Sequence, residues 1–194
     1  DWPYYREIVR KADYDFDQSA LKPYFEMERV LTDGVFFMAE KLYGLRFERR
    51  DHLPKYYPDI TVYEVFEDNG AALGIFVFDP FARDTKRGGA WMDECMVRRT
   101  RTDGSLQQPV AYLTCNFNGP VGDKPALLTH NEVTTLFHEF GHGLHHMLTQ
   151  VEEDAVSGIA GVAWDAVELP SQFLENWCWE PEALTHIAGH FETG

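Results

Sequence analysis

Basic charge, paired cysteines and long apolar runs are all scarce in this chain, and each shortage removes a class of function. Lys and Arg number 17 against 32 Asp and Glu, a formal charge of −15. Nucleic-acid binding draws largely on Lys and Arg neutralising phosphates, so nucleic acid and anionic membrane surfaces are not expected partners. The one cationic stretch, Lys86 to Arg101, holds five basic residues but also Asp93 and Glu94, and is expected to be a solvated loop face. Cys95, Cys115 and Cys178 are odd in number and form no CxxC pair, which fits the reduced thiols of a cytoplasmic protein. No apolar run approaches the roughly 20 residues that span a bilayer. The N-terminus lacks a basic region followed by an apolar one, so neither a membrane anchor nor export is expected. The chain opens on Asp1 and leaves an apparent helix for a turn over Ala188 to Gly194; a piece of a longer protein is the expectation.

What is present is enough for one substantial core: 194 residues, 44% of them hydrophobic, which suits one domain or at most two. Residues 1 to 15 mix aromatics with charges and suggest an exposed helix start. From Lys22 to Leu45, Met27, Val30, Leu31, Phe37, Met38 and Leu42 recur at the steps of one helix face, and Gly44 suits its left-handed end. The period then changes to two, in Thr61 to Glu67, Ala72 to Phe78, Ala90 to Val97 and Val110 to Cys115, which predicts strands. Asp68-Asn69-Gly70, Asp79-Pro80 through Gly89, and Asp103-Gly104 supply turn chemistry between them. A small antiparallel sheet is expected over 61–117. Residues 1–60 should be mainly helical, and 127–194 helical apart from a glycine-rich break at Ser157 to Gly161.

Thr129 with Glu132 three residues on is a capping-box pattern, so a helix should start there. On a helical wheel Val133, Leu136, Phe137, Phe140, Leu144, Met147 and Leu148 form one core-facing stripe, and His138, His142 and His145 point away from it. His138 and His142, four apart, stack one turn above another and can bring two imidazole nitrogens to a single ion. Glu139, about 100° round the helix, cannot easily join that ligand set but can reach a water beside the ion as a general base. Gly141 leaves room for a neighbouring backbone or a substrate. His130, His146, His186 and His190 are expected to be ordinary surface or core histidines.

A catalytic metal needs a third protein ligand. A histidine six residues after the second, with a glycine between, would supply it in metzincins, but Leu148 and His145 stand there. His145 is itself a poor candidate, lying two turns and about 10 Å along the axis from His138. The better source is Asp165 to Trp177, a second helical segment with Asp165 as its N-cap and Pro170 either starting a new first turn or kinking it. Glu168, Gln172 and Glu175 share one face of it, so Glu168 can be the third ligand while Glu175 orients a ligating imidazole. No Ser or Cys sits in a nucleophile-elbow context, which argues against a hydrolase without a metal.

The runs Asn131 to His142 and Glu168-Leu169-Pro170-Ser171-Gln172, with the flanks Ser157-Gly158-Ile159, Glu175 to Pro181 and Tyr112 to Phe117, resemble the thimet oligopeptidase family of zinc metallopeptidases. The resemblance covers nearly the whole chain. It implies an α+β, mainly α fold, with a zincin-type helical core around the HExxH helix, and a cytoplasmic endopeptidase acting on short unstructured peptides. It implies one zinc ion per chain on His138, His142 and Glu168, with Glu139 as base. Members of that family are several times longer, and their Tyr- and His-bearing oxyanion segment lies downstream of Gly194. A truncated zinc-binding or peptide-binding module without turnover is therefore the alternative expectation.

Overall fold

The computed structural model describes residues 1–14 and 17–194. Its first helix, α1 (Trp2–Tyr14), is exposed along most of its length, as expected of its mixed composition. The next helical stretch starts later than its periodicity predicts, because Lys22 and Pro23 fall in a separate 3₁₀ turn, Gln18–Tyr24. Glu26 then caps a new start, its carboxylate accepting from the backbone N–H of Glu28 and Arg29. From there α2 (Met27–Arg29), a π-wound segment (Val30–Phe36) and α3 (Phe37–Tyr43) run on to Gly44, which closes the helix at φ 69° as its position predicts. Within the π-wound turns Gly34 faces other helices closely. A β-carbon there would lie 3.1 Å from Ile187 and 3.5 Å from Phe137.

The sheet holds five strands in the order β1-β2-β3-β7-β4. These are β1 (Arg46–Arg49), β2 (Thr61–Phe66), β3 (Ala72–Phe81), β4 (Trp91–Met96) and β7 (Val110–Phe117). Between β4 and β7 the chain makes a separate small hairpin, β5 (Arg99–Thr100) and β6 (Leu106–Gln107), turned at Gly104 with φ 82°. The antiparallel expectation holds for β2/β3 and β4/β7, and β1, which lies before the predicted sheet, also pairs antiparallel with β2. It fails at the centre, where β3 and β7 run parallel from Ile75↔Val110 to Phe81↔Phe117. The link from β3 to β4 is too long for a tight hairpin, so β4 goes to the edge and β7 returns to fill the gap. β7 is thus an interior strand beside β3, with Ala111, Leu113 and Cys115 fully inaccessible.

One face of this sheet packs on the helix α4 (His130–Met147). Val133, Leu136, Phe137 and Phe140 of the predicted stripe are fully buried. Phe140 meets Phe76 edge-on at 5.2 Å between ring centroids, and Phe36 stacks on Phe47 at 4.0 Å. Each such pair adds about 0.5–1.5 kcal/mol to the burial itself. α4 is therefore anchored along one side, with its opposite side free for chemistry.

The stretch beginning at Lys86 is not a solvated loop face throughout. The Lys86 ammonium is only 3% exposed and donates to the Asp79 carboxylate at 3.0 Å and to the carbonyls of Asp79 and Phe81. Arg83 donates to both Asp79 oxygens at 2.7 and 2.8 Å, and the Tyr56 hydroxyl adds a fourth donor. Asn116 donates to the carbonyls of Arg87 and Gly89. Together these bonds fix the path into β4. Burial pushes the Asp79 carboxyl up, but the Arg83, Lys86 and Tyr56 donors outweigh it and hold it below the usual range. A carboxylate depressed in the folded state stabilises above its unfolded pKa of about 3.9 and loses that effect on acidification. Asp79→Ala, which strands a buried ammonium, is expected to lower the unfolding free energy by about 3 kcal/mol in urea titrations at neutral pH. A loss under about 1 kcal/mol would mean the cluster is already solvated.

Candidate metal centre

α4 begins as its sequence predicts: the Glu132 N–H donates to the Thr129 hydroxyl at 3.2 Å, and the Thr129 N–H donates to the Glu132 carboxylate at 2.7 Å. Starting the helix there puts His138 and His142 one turn apart, with ring centroids 5.0 Å from each other. The second helix, α5 (Leu169–Glu175), starts later than predicted. Asp165 lies in the turns before it, and Glu168 occupies the N-cap position. Pro170 explains the difference: it belongs in a first turn, where its missing N–H costs nothing, and the helix cannot extend back through it. The consequence is that Glu168 stands at the very tip of α5, where its side chain is free to turn toward α4.

The two helices nearly touch. A β-carbon on Gly141 would lie 2.6 Å from the Ser171 α-carbon and 2.7 Å from the Pro170 carbonyl oxygen. Of the two occupants expected beside Gly141, the neighbouring backbone is the one present. At that approach the Glu168 carboxylate comes 3.2 Å from His138 Nε2 and 3.1 Å from His142 Nε2. Ligand atoms from all three residues lie within 4.8 Å of one another. Ligands about 2.0–2.1 Å from one tetrahedral ion stand about 3.3 Å apart, so the spacing fits a zinc-sized cation.

Outer contacts orient two of the three residues, His138 and Glu168, while among the described residues His142 Nδ1 is buried without a hydrogen-bond partner. His138 Nδ1 meets Glu175 Oε1 at 2.5 Å, which leaves the Nε2 lone pair pointing at the convergence point. The buried Ser171 hydroxyl is 2.8 Å from Glu168 Oε2 and 2.9 Å from the Glu168 carbonyl. That hydroxyl, then His142 and His138, hold the Glu168 carboxyl below its usual range despite some burial. Burial pushes His142 down, which favours the neutral imidazole a metal requires. His145 is not part of the convergent group; it lines a separate cavity with Tyr43, Leu148, Val156 and Pro170.

Glu139 opens on the same cleft of about 540 Å³ as His138, His142 and Glu168. Burial raises its pKa, the neighbouring His138 and the Met92 N–H of β4 pull it back, and Glu168 adds to the rise. The other residues lining the cleft are apolar: Trp91 and Met92 of β4 with Ala90 just before it make up one wall, and Ile159, Val162, Trp164 and Val167 the other. These walls, and the Ser171 contact, have no motif of their own in the sequence. The one available hint was a serine three residues after the ligand-bearing glutamate.

Two facing helices that bring a His-Glu-x-x-His pattern and the carboxylate of Glu168 to one point beside the cleft have the form of a peptidase site. Residues 1–194 match the model of peptidase family M3, and the chain belongs to that family. It is similar to Oligopeptidase A of Escherichia coli (strain K12), 55% identical over the whole chain, and to Dipeptidyl carboxypeptidase of the same organism, 42% identical. Thimet-like oligopeptidase of Dictyostelium discoideum is 35% identical over 99% of the chain. The chain spans 28% of the length of the two Escherichia coli relatives and 29% of the third. Among the described residues no helix is long and apolar enough to cross a membrane.

Proposed function

We propose that this chain carries the metal-binding and catalytic core of a zinc-dependent endopeptidase that hydrolyses short, unstructured peptides. His138, His142 and Glu168 are its ligands, Glu139 its general base and Glu175 the carboxylate that orients His138. The observation that carries the reading is the convergence of three ligand atoms within 4.8 Å on the cleft that also holds Glu139. The names of the relatives support the peptide substrate. Residues 1–60, 61–117 and 127–194 belong in this reading to one catalytic domain, since β4 and α4 share the cleft. The unpaired thiols favour the cytoplasm.

Zinc bound at this point supplies a Lewis acid and a water acidified toward a pKa of about 7. The protein's own residues do the rest. The apolar walls hold the peptide and limit bulk water around the scissile bond. Glu139 accepts a proton from the attacking water on its carboxylate and delivers it to the departing peptide nitrogen. Glu175 keeps the His138 Nδ1 proton in place, so that Nε2 stays a lone-pair donor throughout.

The test is zinc content and quenched-peptide cleavage in the full-length protein. One zinc per chain and activity lost on chelation are expected. Glu168→Ala should abolish stoichiometric zinc, whereas Glu175→Ala should weaken zinc affinity about 10–100-fold. Cleavage that survives complete removal of metal would sink the reading.

A further inference from the structure

His146 lies one turn beyond His142 on α4, is fully buried, and takes no part in the convergent group. Its two ring nitrogens bond to two different segments of the chain. Nε2 is 2.9 Å from the Met96 carbonyl at the end of β4, and Nδ1 accepts the Ile159 N–H at 3.4 Å. A carbonyl can only accept and an amide N–H can only donate. With these partners Nε2 is the donor and Nδ1 the acceptor, and the Glu94 carboxylate of β4 lies 3.8 Å from Nδ1.

These partners matter because of where they lead. Trp91 and Met92 of β4, with Ala90 just before it, line one wall of the cleft, and the segment that opens at Ile159 contributes Ile159, Val162 and Trp164 to the other. One imidazole thus ties both walls to the same turn of α4. The second wall is built around that ring. Gly158 has φ +65°, and a β-carbon there would lie 2.4 Å from His146 Nδ1. Ser157, also fully buried, donates from its hydroxyl to the Val151 carbonyl at 2.9 Å and fixes the start of the segment. A residue serving only to fill the core would need neither nitrogen satisfied by the two walls; leucine would fill the same space.

The geometry points to His146 as a positioning residue that sets the separation of the cleft walls and, through it, peptide binding. This rests on the peptidase reading above for its substrate, but the clasp itself is a property of the folded chain. Removing it should loosen the Ile159 segment while leaving His138 and Glu168 on their own supports, Glu175 and Ser171, and His142 in its place on α4. The effect should therefore fall on KM more than on kcat.

The test compares wild type, His146→Leu and His146→Gln in the full-length protein by zinc content, peptide kinetics and amide exchange at residues 157–162. Glutamine retains a donor and an acceptor; leucine retains only bulk. His146→Leu is expected to keep one zinc, raise KM about tenfold and change kcat less than about threefold, since wall displacement costs orientation rather than chemistry. Its Ile159 amide should exchange about tenfold faster, the scale of one net hydrogen bond. His146→Gln should recover most of both changes. Unchanged KM and exchange in the leucine variant would overturn the assignment, as would a glutamine variant no better than leucine. If the leucine variant does not fold, the glutamine variant decides: wild-type exchange and KM support the clasp, and a collapsed protein overturns it. A wild-type protein with no turnover would count against the peptidase reading, while the exchange data would still decide the clasp.

Discussion

Glu139→Gln is expected to leave the zinc content at one ion per chain and to lower turnover of a short peptide by about 10²–10⁴. The amide has the shape of the carboxylate and still fits the space beside Met92, so packing and metal are spared. What it loses is the ability to accept a proton. Burial already holds the Glu139 carboxyl above its ordinary range, with Glu168 adding to the rise and His138 and the Met92 N–H opposing it. A base moved toward neutrality accepts the proton of the attacking water more readily than an ordinary surface carboxylate would. Metal analysis alongside steady-state kinetics separates the outcomes. Retained turnover within about tenfold of wild type would show that Glu139 is not the base, because it falls short of the usual contribution of one.

Gly141→Ala is the second change expected to be severe, although it touches neither the metal ligands' donor atoms nor the substrate. Its methyl would arrive 2.6 Å from the Ser171 α-carbon and 2.7 Å from the Pro170 carbonyl oxygen, both backbone atoms that cannot rotate away. α5 must move, and with it Glu168 at its tip. Overpacking of this kind costs about 1–3 kcal/mol of stability, and a displacement near 1 Å in a catalytic constellation costs about 10² in rate. Urea unfolding and peptide kinetics on the same sample are the measurements. A folded Gly141→Ala protein of wild-type stability and rate would mean that the two helices are not held at this distance.

The difference between these two residues marks how far the sequence could be read. Glu139, His138 and His142 were legible because a capping box fixed the start of α4 and an apolar stripe fixed its orientation; the histidine spacing then had one helical meaning. Gly141 was legible only as room for something, since sequence spacing does not say which element will approach. Glu168 and Glu175 are legible as a pair four-plus-three apart, yet the start of their helix is not, because Asp165 offers a cap that Pro170 overrules. The sheet was legible strand by strand from its period of two. Its parallel centre was not, because local turn chemistry carries no signal for a later strand inserting between two earlier ones. β1 escaped notice for a different reason: it is a short charged edge, Arg46-Phe47-Glu48-Arg49, whose alternation is masked by the charges that protect such edges. The sequence places Lys86 on a solvated face and leaves His146 either on the surface or in the core, since burial of a paired charge or the choice of an imidazole's partners depends on residues distant in the chain.

The most direct test of the central claim is a crystal structure of the zinc-loaded full-length protein, with anomalous data on both sides of the zinc edge. The account predicts one ion about 2.0–2.2 Å from His138 Nε2, His142 Nε2 and a Glu168 oxygen, with Glu175 against His138 Nδ1. Zinc bound elsewhere, or bound to the two histidines with Glu168 turned away, would contradict it.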